Sequence, residues 1–113
     1  MQIIETWQKS ASQLIAVAAG RAFAELVVQN CRLVNVNSRE ILDGWEVAVV
    51  KGRFAYVGPS ASHCLGPNTA VFDAGGKFIM PGLCDGHMHI ESGMLTPAEF
   101  AAAVIPHGTT TMF

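Results

Sequence analysis

The 113-residue chain lacks long hydrophobic runs and has few charged residues, which make up only 14% of it. It contains no stretch of about 18 uncharged apolar residues, so we expect no membrane-spanning helix and no membrane partner. Seven Lys and Arg against nine Asp and Glu give a net charge of −2. Because neutralising phosphates requires clustered positive charge, this composition argues against a nucleic-acid partner.

Cysteine is also scarce, with only Cys31, Cys64 and Cys84 present and no Cys-x-x-Cys spacing among them. This odd number argues against a disulfide framework or a zinc ribbon and favours reduced thiols. The apolar run Leu14–Ala19 is similar to the core of a signal peptide, but it is too short and Arg21 follows it closely. We therefore expect a cytoplasmic protein.

The remaining composition is that of a folded chain, with 50% hydrophobic residues, eleven Gly and five Pro. The length permits one modest domain and is too short for a complete (β/α)₈ barrel, which takes roughly 200–250 residues. Three patterns follow one another along the chain. We expect a helical segment over residues 1–24, a small antiparallel β domain over 25–80, and a strand–helix–strand pattern over 81–113.

Local signals predict where these elements begin and end. Ser10 and Gln13 have the spacing of a capping box, and Gly20 is placed to end the first helix. Residues 25–80 are short β-branched runs between turn residues, which is typical of a small sandwich-like β fold. Asn30-Cys31 separates the first two runs and predicts a turn, while Lys51-Gly52-Arg53 predicts a compact hairpin.

The last third of the chain has a different pattern, in which a predicted helix lies between two predicted strands. Leu83–Ile90 is predicted to be a strand that follows Pro81-Gly82. Thr96 and Glu99 then have the spacing of a capping box for a helix that Pro106 ends. A second strand is predicted to begin just after this helix. Strand, helix and strand in this order favour a parallel sheet.

Four side chains that carry chemistry alternate along the predicted strand and would share one face if it continues: Asp85, His87, His89 and Glu91. The two histidines would lie about 6.5–7 Å apart at Cα, and converging imidazoles at that spacing can bind one divalent metal ion. A carboxylate at either end could orient the rings. The spacing alone is also compatible with an ordinary polar strand face.

The residues PGLCDGHMHIES at Pro81–Ser92 resemble the first barrel strand of the amidohydrolase superfamily. Their continuation over Gly93–Thr111, which contains MLTP and ends in PHGTTT, resembles the adenine deaminase branch in particular. The upstream runs Leu26–Val28 and Asn35–Asn37 are similar to the N-terminal β domain of that family. The resemblance therefore covers nearly the whole chain from about Leu14.

This resemblance implies a mixed α/β fold that joins the amidohydrolase β domain to the first strand–helix unit of a truncated (β/α)₈ barrel. It implies the hydrolysis of adenine to hypoxanthine and ammonia by a metal-activated water. His87 and His89 would be metal ligands, and Asp85 and Glu91 would support them or relay protons. The metal would be Fe, Mn or Zn, with a binuclear centre in the complete family. A purine substrate and a homo-oligomer are also implied.

Members of this family have several hundred residues, with further metal ligands and a catalytic aspartate on later strands. We therefore expect the 113-residue chain alone not to deaminate adenine. Two alternatives remain open: a non-catalytic β module for binding or oligomerisation, and part of another amidohydrolase such as a dihydroorotase or hydantoinase relative. The residues after His89 argue against the second alternative. His107 is interpreted as a turn residue, with a metal or substrate role left open.

Overall fold

A computed structural model describes residues 2–113, and side chains from residue 10 onward. The fold is mixed α/β and divides into two compact units at Ile79 and Met80. The first unit contains α1 (Gln2–Ala18), β1 (Leu26–Asn35), β2 (Glu40–Val50), β3 (Arg53–Gly58), β4 (Ala70–Asp73) and β5 (Phe78–Ile79). The second contains β6 (Leu83–Asp85), α2 (Pro97–Val104) and β7 (Thr109–Met112). No helix within residues 2–113 combines the length and apolarity needed to cross a bilayer.

Helix α1 extends on both sides of Ser10, so the prediction that Ser10 caps its N-terminus is wrong. A Ser-x-x-Gln spacing is a local signal, and it does not prevent a helix from continuing upstream. The C-terminus of α1 agrees with the prediction, because Gly20 has a φ of 68°. The N–H groups of Gly20 and Arg21 donate to the carbonyls of Val17 and Ala16 over 3.0 and 2.8 Å. This pattern satisfies the last carbonyls of the helix and favours glycine.

The sheet of the first unit has the strand order β3-β2-β1-β4, and β5 also pairs with β1. Strands β1, β2 and β3 are antiparallel, whereas β4 and β5 both run parallel to β1. The prediction of an antiparallel β domain is therefore wrong for β4 and β5. The described part of this unit forms one five-stranded sheet and not two sheets of a sandwich. Strand direction depends on the path of the connection over residues 59–69, which the local sequence pattern does not reveal.

The predicted hairpin between β2 and β3 is confirmed. Lys51 and Gly52 form its two-residue loop, with φ values of 50° and 66°. Positive φ at both positions is the type I′ geometry that matches the twist of the two strands. The carboxylate of Glu25 accepts a 3.0 Å hydrogen bond from the Lys51 N–H and holds this loop beside the start of β1.

The predicted turn at Asn30-Cys31 is wrong, because β1 runs straight through it. Asn30 has a φ of 53°, and the pairing of Val28 with Val47 is followed by that of Cys31 with Trp45. One extra residue is therefore accommodated in β1 as a bulge. The Cys31 side chain is buried, and its Sγ donates a 2.9 Å hydrogen bond to the Trp45 carbonyl.

The core of the first unit lies between α1, β1 and β2. Its buried members are small or β-branched: Val17, Ala24, Val27, Ala48, Val50, Ala61 and Cys64. Val27 reaches this core from β1, and Ala48 and Val50 reach it from β2, since side chains two apart project to the same face of a sheet. Two hydrogen bonds hold the connection after β3 to this core: from the Ala61 N–H to Glu46 Oε2 (2.6 Å) and from Thr69 Oγ1 to the Ala24 carbonyl (2.7 Å).

In the second unit, β6 and β7 pair in parallel, and α2 lies between them in the chain. The predicted strand–helix–strand order is therefore present. The predicted capping box is also present, since Thr96 Oγ1 accepts from the Glu99 N–H and the Glu99 carboxylate accepts from the Thr96 N–H. The strand expected over Leu83–Ile90 is shorter, because β6 ends at Asp85.

Candidate metal centre

The predicted site residues lie at and beyond the carboxyl end of β6. Asp85 is the last residue of the strand, His87 and His89 follow it, and Glu91 lies in the 3₁₀ turn Ile90–Gly93. The expectation of four side chains on one face of a continuous strand is therefore wrong. After the strand ends, the His87 N–H donates a 3.1 Å hydrogen bond to Asp85 Oδ1, so a side chain holds the backbone here.

This local fold nevertheless brings the two imidazoles together. The Nε2 atoms of His87 and His89 lie 3.0 Å apart, and the ring planes cross at 73°. Because each ligand nitrogen lies about 2.0–2.1 Å from a bound zinc ion, two nitrogens at this separation can contact the same ion. A pair of imidazoles suits zinc, iron and related divalent metals. The donor set therefore fits the metal that the amidohydrolase resemblance implies.

A carboxylate lies against the outer nitrogen of one ring. Glu91 Oε1 is 3.0 Å from His89 Nδ1. The pKa of Glu91 is lowered, first because its carboxylate accepts a hydrogen bond from its own backbone N–H and second because of the hydrogen bond with His89. Carboxylates in this position orient metal-binding histidines in many proteins. Both side chains are exposed, at 60% for His89 and 76% for Glu91.

Asp85 and Glu91, for which the sequence predicted the same role, thus have different contacts. Asp85 binds a backbone N–H, whereas Glu91 binds an imidazole ring. Strand alternation predicted that both carboxylates lie on the same face. The pattern therefore could not predict that only Glu91 contacts a histidine ring.

The pair of histidines does not make a complete metal site. Over the described part of the chain, no group of three or more His, Cys, Asp or Glu side chains could hold a metal ion. Catalytic zinc sites usually have three protein ligands and an open position for water. The described residues therefore offer two imidazole ligands, and a complete centre needs additional groups.

His107 lies outside this arrangement in the chain, in the 3₁₀ turn Ile105–His107. Gly108 closes that turn with a φ of 96° and donates from its N–H to the Ile105 carbonyl over 2.9 Å. This position agrees with the interpretation of His107 as a turn residue.

The fold is similar to that of known hydrolases. It matches the crystal structure of molinate hydrolase with a TM-score of 0.62 and 24% identity, over 80% of this chain and 24% of that one. It matches a prolidase complexed with N-methylphosphonate-L-proline with a TM-score of 0.61 and 22% identity, over 77% of this chain and 24% of that one. At these identities the likeness concerns the fold alone.

Comparison of the amino-acid sequence with curated proteins finds much higher identities than the comparison of folds. The chain is 64% identical to adenine deaminase 1 of Jannaschia sp. (strain CCS1) and 65% identical to adenine deaminase of Ruegeria sp. (strain TM1040), each over 108 residues and 96% of the chain. It is 47% identical over 107 residues, or 95% of the chain, to adenine deaminase of Clostridium botulinum (strain ATCC 19397 / Type A). No protein-family profile matches the chain.

The chain therefore corresponds in sequence to the N-terminal part of adenine deaminases, as the resemblance of its motifs predicted. It spans about 18% of the length of these curated relatives.

Proposed function

We propose that this chain is part of an adenine deaminase, and that His87 and His89 together bind the divalent metal ion used to hydrolyse adenine to hypoxanthine and ammonia. The observation that carries the proposal is the 3.0 Å separation of the two Nε2 atoms. The motif containing these histidines lies in a chain that is 57–65% identical to several proteins named adenine deaminase.

His87 and His89 would hold a divalent ion, which would lower the pKa of a bound water and so supply the nucleophile for the ring carbon bearing the amino group. The part played by this chain is to hold that ion with two imidazoles. We propose iron, manganese or zinc as the metal, because imidazole together with carboxylate ligands suits each of them. A binuclear centre in the whole enzyme would draw its remaining ligands from other strands.

The strand–helix–strand order of the second unit supports a proposed division of the chain into three segments. We assign residues 1–24 to a helical segment, 25–80 to the β domain, and 81–113 to the beginning of a (β/α)₈ hydrolase domain. The parallel pair β6 and β7 with α2 between them in sequence is the repeating unit of such a barrel. Active sites of these barrels lie at the carboxyl ends of the strands, which is where the two histidines follow β6.

The second unit has exposed apolar residues, and we propose that other parts of a larger protein cover them. Leu83 is 50% exposed and Phe113 is 77% exposed. Parallel strands are normally covered on both faces. We therefore propose that the rest of the barrel covers this unit. As separate proposals from the resemblance, the enzyme is cytoplasmic and forms a homo-oligomer.

The test is ammonia release from adenine by the full-length protein that contains this sequence, with added Fe²⁺, Mn²⁺ or Zn²⁺. We expect turnover by the wild type and its loss in the double variant His87→Ala, His89→Ala. His63→Gln is the control, because it removes a histidine of the first unit while its amide can still donate to the Ala18 carbonyl that His63 contacts at 3.1 Å.

Three results bear on the alternatives. Hydrolysis of a cyclic amide such as hydantoin, without action on adenine, would assign the protein to another amidohydrolase branch. Absence of hydrolysis of either substrate by the metal-loaded wild type would favour a non-catalytic module. Turnover that survives loss of both histidines would contradict the assigned metal ligands. The 113-residue chain alone is expected to show no turnover.

A further inference from the structure

The two carboxylates near the histidines hold different parts of the site. Asp85 accepts from the His87 backbone N–H, and Glu91 contacts the His89 ring. We infer that Glu91 is a positioning residue that keeps the His89 proton on Nδ1 and thereby leaves Nε2 free to bind the metal. This inference rests on the proposed metal site and assigns a specific role to Glu91 within it.

The placement of protons follows from the contacts. A carboxylate oxygen accepts hydrogen bonds, so the 3.0 Å contact with Glu91 places a proton on Nδ1 of His89. The opposite nitrogen of the neutral ring, Nε2, then has a free lone pair. Nε2 of His87, 3.0 Å away, can donate a hydrogen bond to this lone pair.

This arrangement makes the two histidines unequal. His89 already has the tautomer that a metal bound at Nε2 requires. When it donates this hydrogen bond, His87 must move its proton from Nε2 to Nδ1 before it can bind the same ion. Glu91 thus prepares one of the two ligands before the metal arrives.

The position of the Glu91 carboxylate is itself restricted. Its Oε1 lies 3.0 Å from Nδ1 of His89, two residues earlier in the chain. The 3₁₀ turn Ile90–Gly93 sets the backbone of Glu91, and the left-handed Met94, with a φ of 52°, follows it. An exposed ion pair alone is worth little, but a carboxylate that the turn places beside the ring can orient that ring.

The experiment uses the 113-residue chain with ¹⁵N-labelled histidine. Long-range ¹H–¹⁵N NMR reports which nitrogen of His89 carries the proton, and calorimetric titration with Zn²⁺ reports affinity. Glu91→Ala removes the acceptor, and Glu91→Gln keeps an acceptor oxygen without the charge. Glu99→Gln is the control, because it removes the same charge from the same unit and Gln can still close the capping box of α2.

We expect Glu91→Ala to shift His89 away from the Nδ1–H tautomer and to weaken zinc binding about tenfold, the lower end of the effect of losing such a partner. Glu91→Gln should keep the tautomer and most of the affinity, and Glu99→Gln should change neither. An unchanged backbone spectrum shows in each case that the fold is retained.

Three results would overturn the inference. If Glu91→Ala changes neither the tautomer nor the affinity, while loss of both histidines abolishes zinc binding, Glu91 has no positioning role and the metal site stands. If Glu91→Ala weakens zinc binding with the tautomer unchanged, Glu91 is itself a ligand. If zinc binding is absent from the wild type, or survives loss of both histidines, the proposed metal site fails together with this inference.

Discussion

Oε2 of Glu46, on β2, accepts a 2.6 Å hydrogen bond from the backbone N–H of Ala61. Ala61 is fully buried in the connection between β3 and β4. The other oxygen of Glu46 accepts from Gln29 Nε2 over 3.3 Å. One carboxylate therefore joins β1, β2 and the connection that brings the chain back to run parallel to β1.

Replacing Glu46 by Ala is expected to lower the free energy of unfolding of the first unit by about 1–3 kcal/mol, because a buried N–H loses its charged acceptor. Urea unfolding followed by tryptophan fluorescence measures this change. The matched control is Glu40→Ala at the exposed start of the same strand, which should change stability by less than about 0.5 kcal/mol. Equal losses in the two variants would show that the contact with Ala61 contributes nothing specific.

The N-terminus of α2 is expected to lose stability in acid. The Glu99 carboxylate accepts hydrogen bonds from the Thr96 N–H and Oγ1, both over 2.9 Å, and these lower the pKa of Glu99 below its usual 4.5. A carboxylate with a lowered pKa stabilises the folded state above its unfolded pKa, and the effect is lost as the pH falls through the folded pKa. The protection factor of the Phe100 amide, which compares its exchange rate with that of an unstructured amide at the same pH, should therefore fall below about pH 4.5.

The same cap can be tested by substitution. Thr96→Ala removes one donor to the carboxylate, so it should raise the pKa of Glu99 and reduce protection of the Glu99 amide. Thr96→Ser keeps the hydroxyl and should behave as the wild type. Carboxyl ¹³C NMR titration measures the pKa directly. A Glu99 pKa that is the same in the Thr96→Ala variant would mean that the hydroxyl does not act on it.

The three thiols are expected to differ in reactivity. Cys31 and Cys64 are buried, and this burial raises the pKa of both thiols, whereas Cys84 is exposed. Because the thiolate is the reactive form, a thiol reagent at neutral pH should modify Cys84 first. Mass spectrometry should find one modified cysteine in the folded chain and three after denaturation. Early modification of Cys31 or Cys64 would contradict the burial described for the first unit.

Features governed by neighbouring residues were predictable from the sequence. The Lys51-Gly52 hairpin, the Gly20 helix end and the Thr96–Glu99 capping box each depend on a few adjacent residues, and each is present. The residues of PGLCDGHMHIES, MLTP and PHGTTT also led to the adenine deaminases, because the motifs are specific where the His-x-His spacing alone is not.

Features governed by distant partners were not predictable. Asn30 adopts a positive φ in either a turn or a bulge, and only the partner strand decides between them. The parallel pairing of β4 with β1 depends on the path of the connection over residues 59–69, which no local signal reveals. The contact of Glu91 with His89 arises because β6 ends at Asp85, which alternation of residue types does not reveal.

The central claim is that His87 and His89 bind one metal ion together, and calorimetric titration of the 113-residue chain with Zn²⁺ tests it most directly. The comparison includes His87→Ala, His89→Ala, the double variant and the control His63→Gln. If both nitrogens contact one ion, each single variant should weaken binding at least tenfold and the double variant should be little worse than either, because the two losses are not additive. Wild-type binding by the single variants, or two independent zinc ions of which each variant removes one, would contradict the claim.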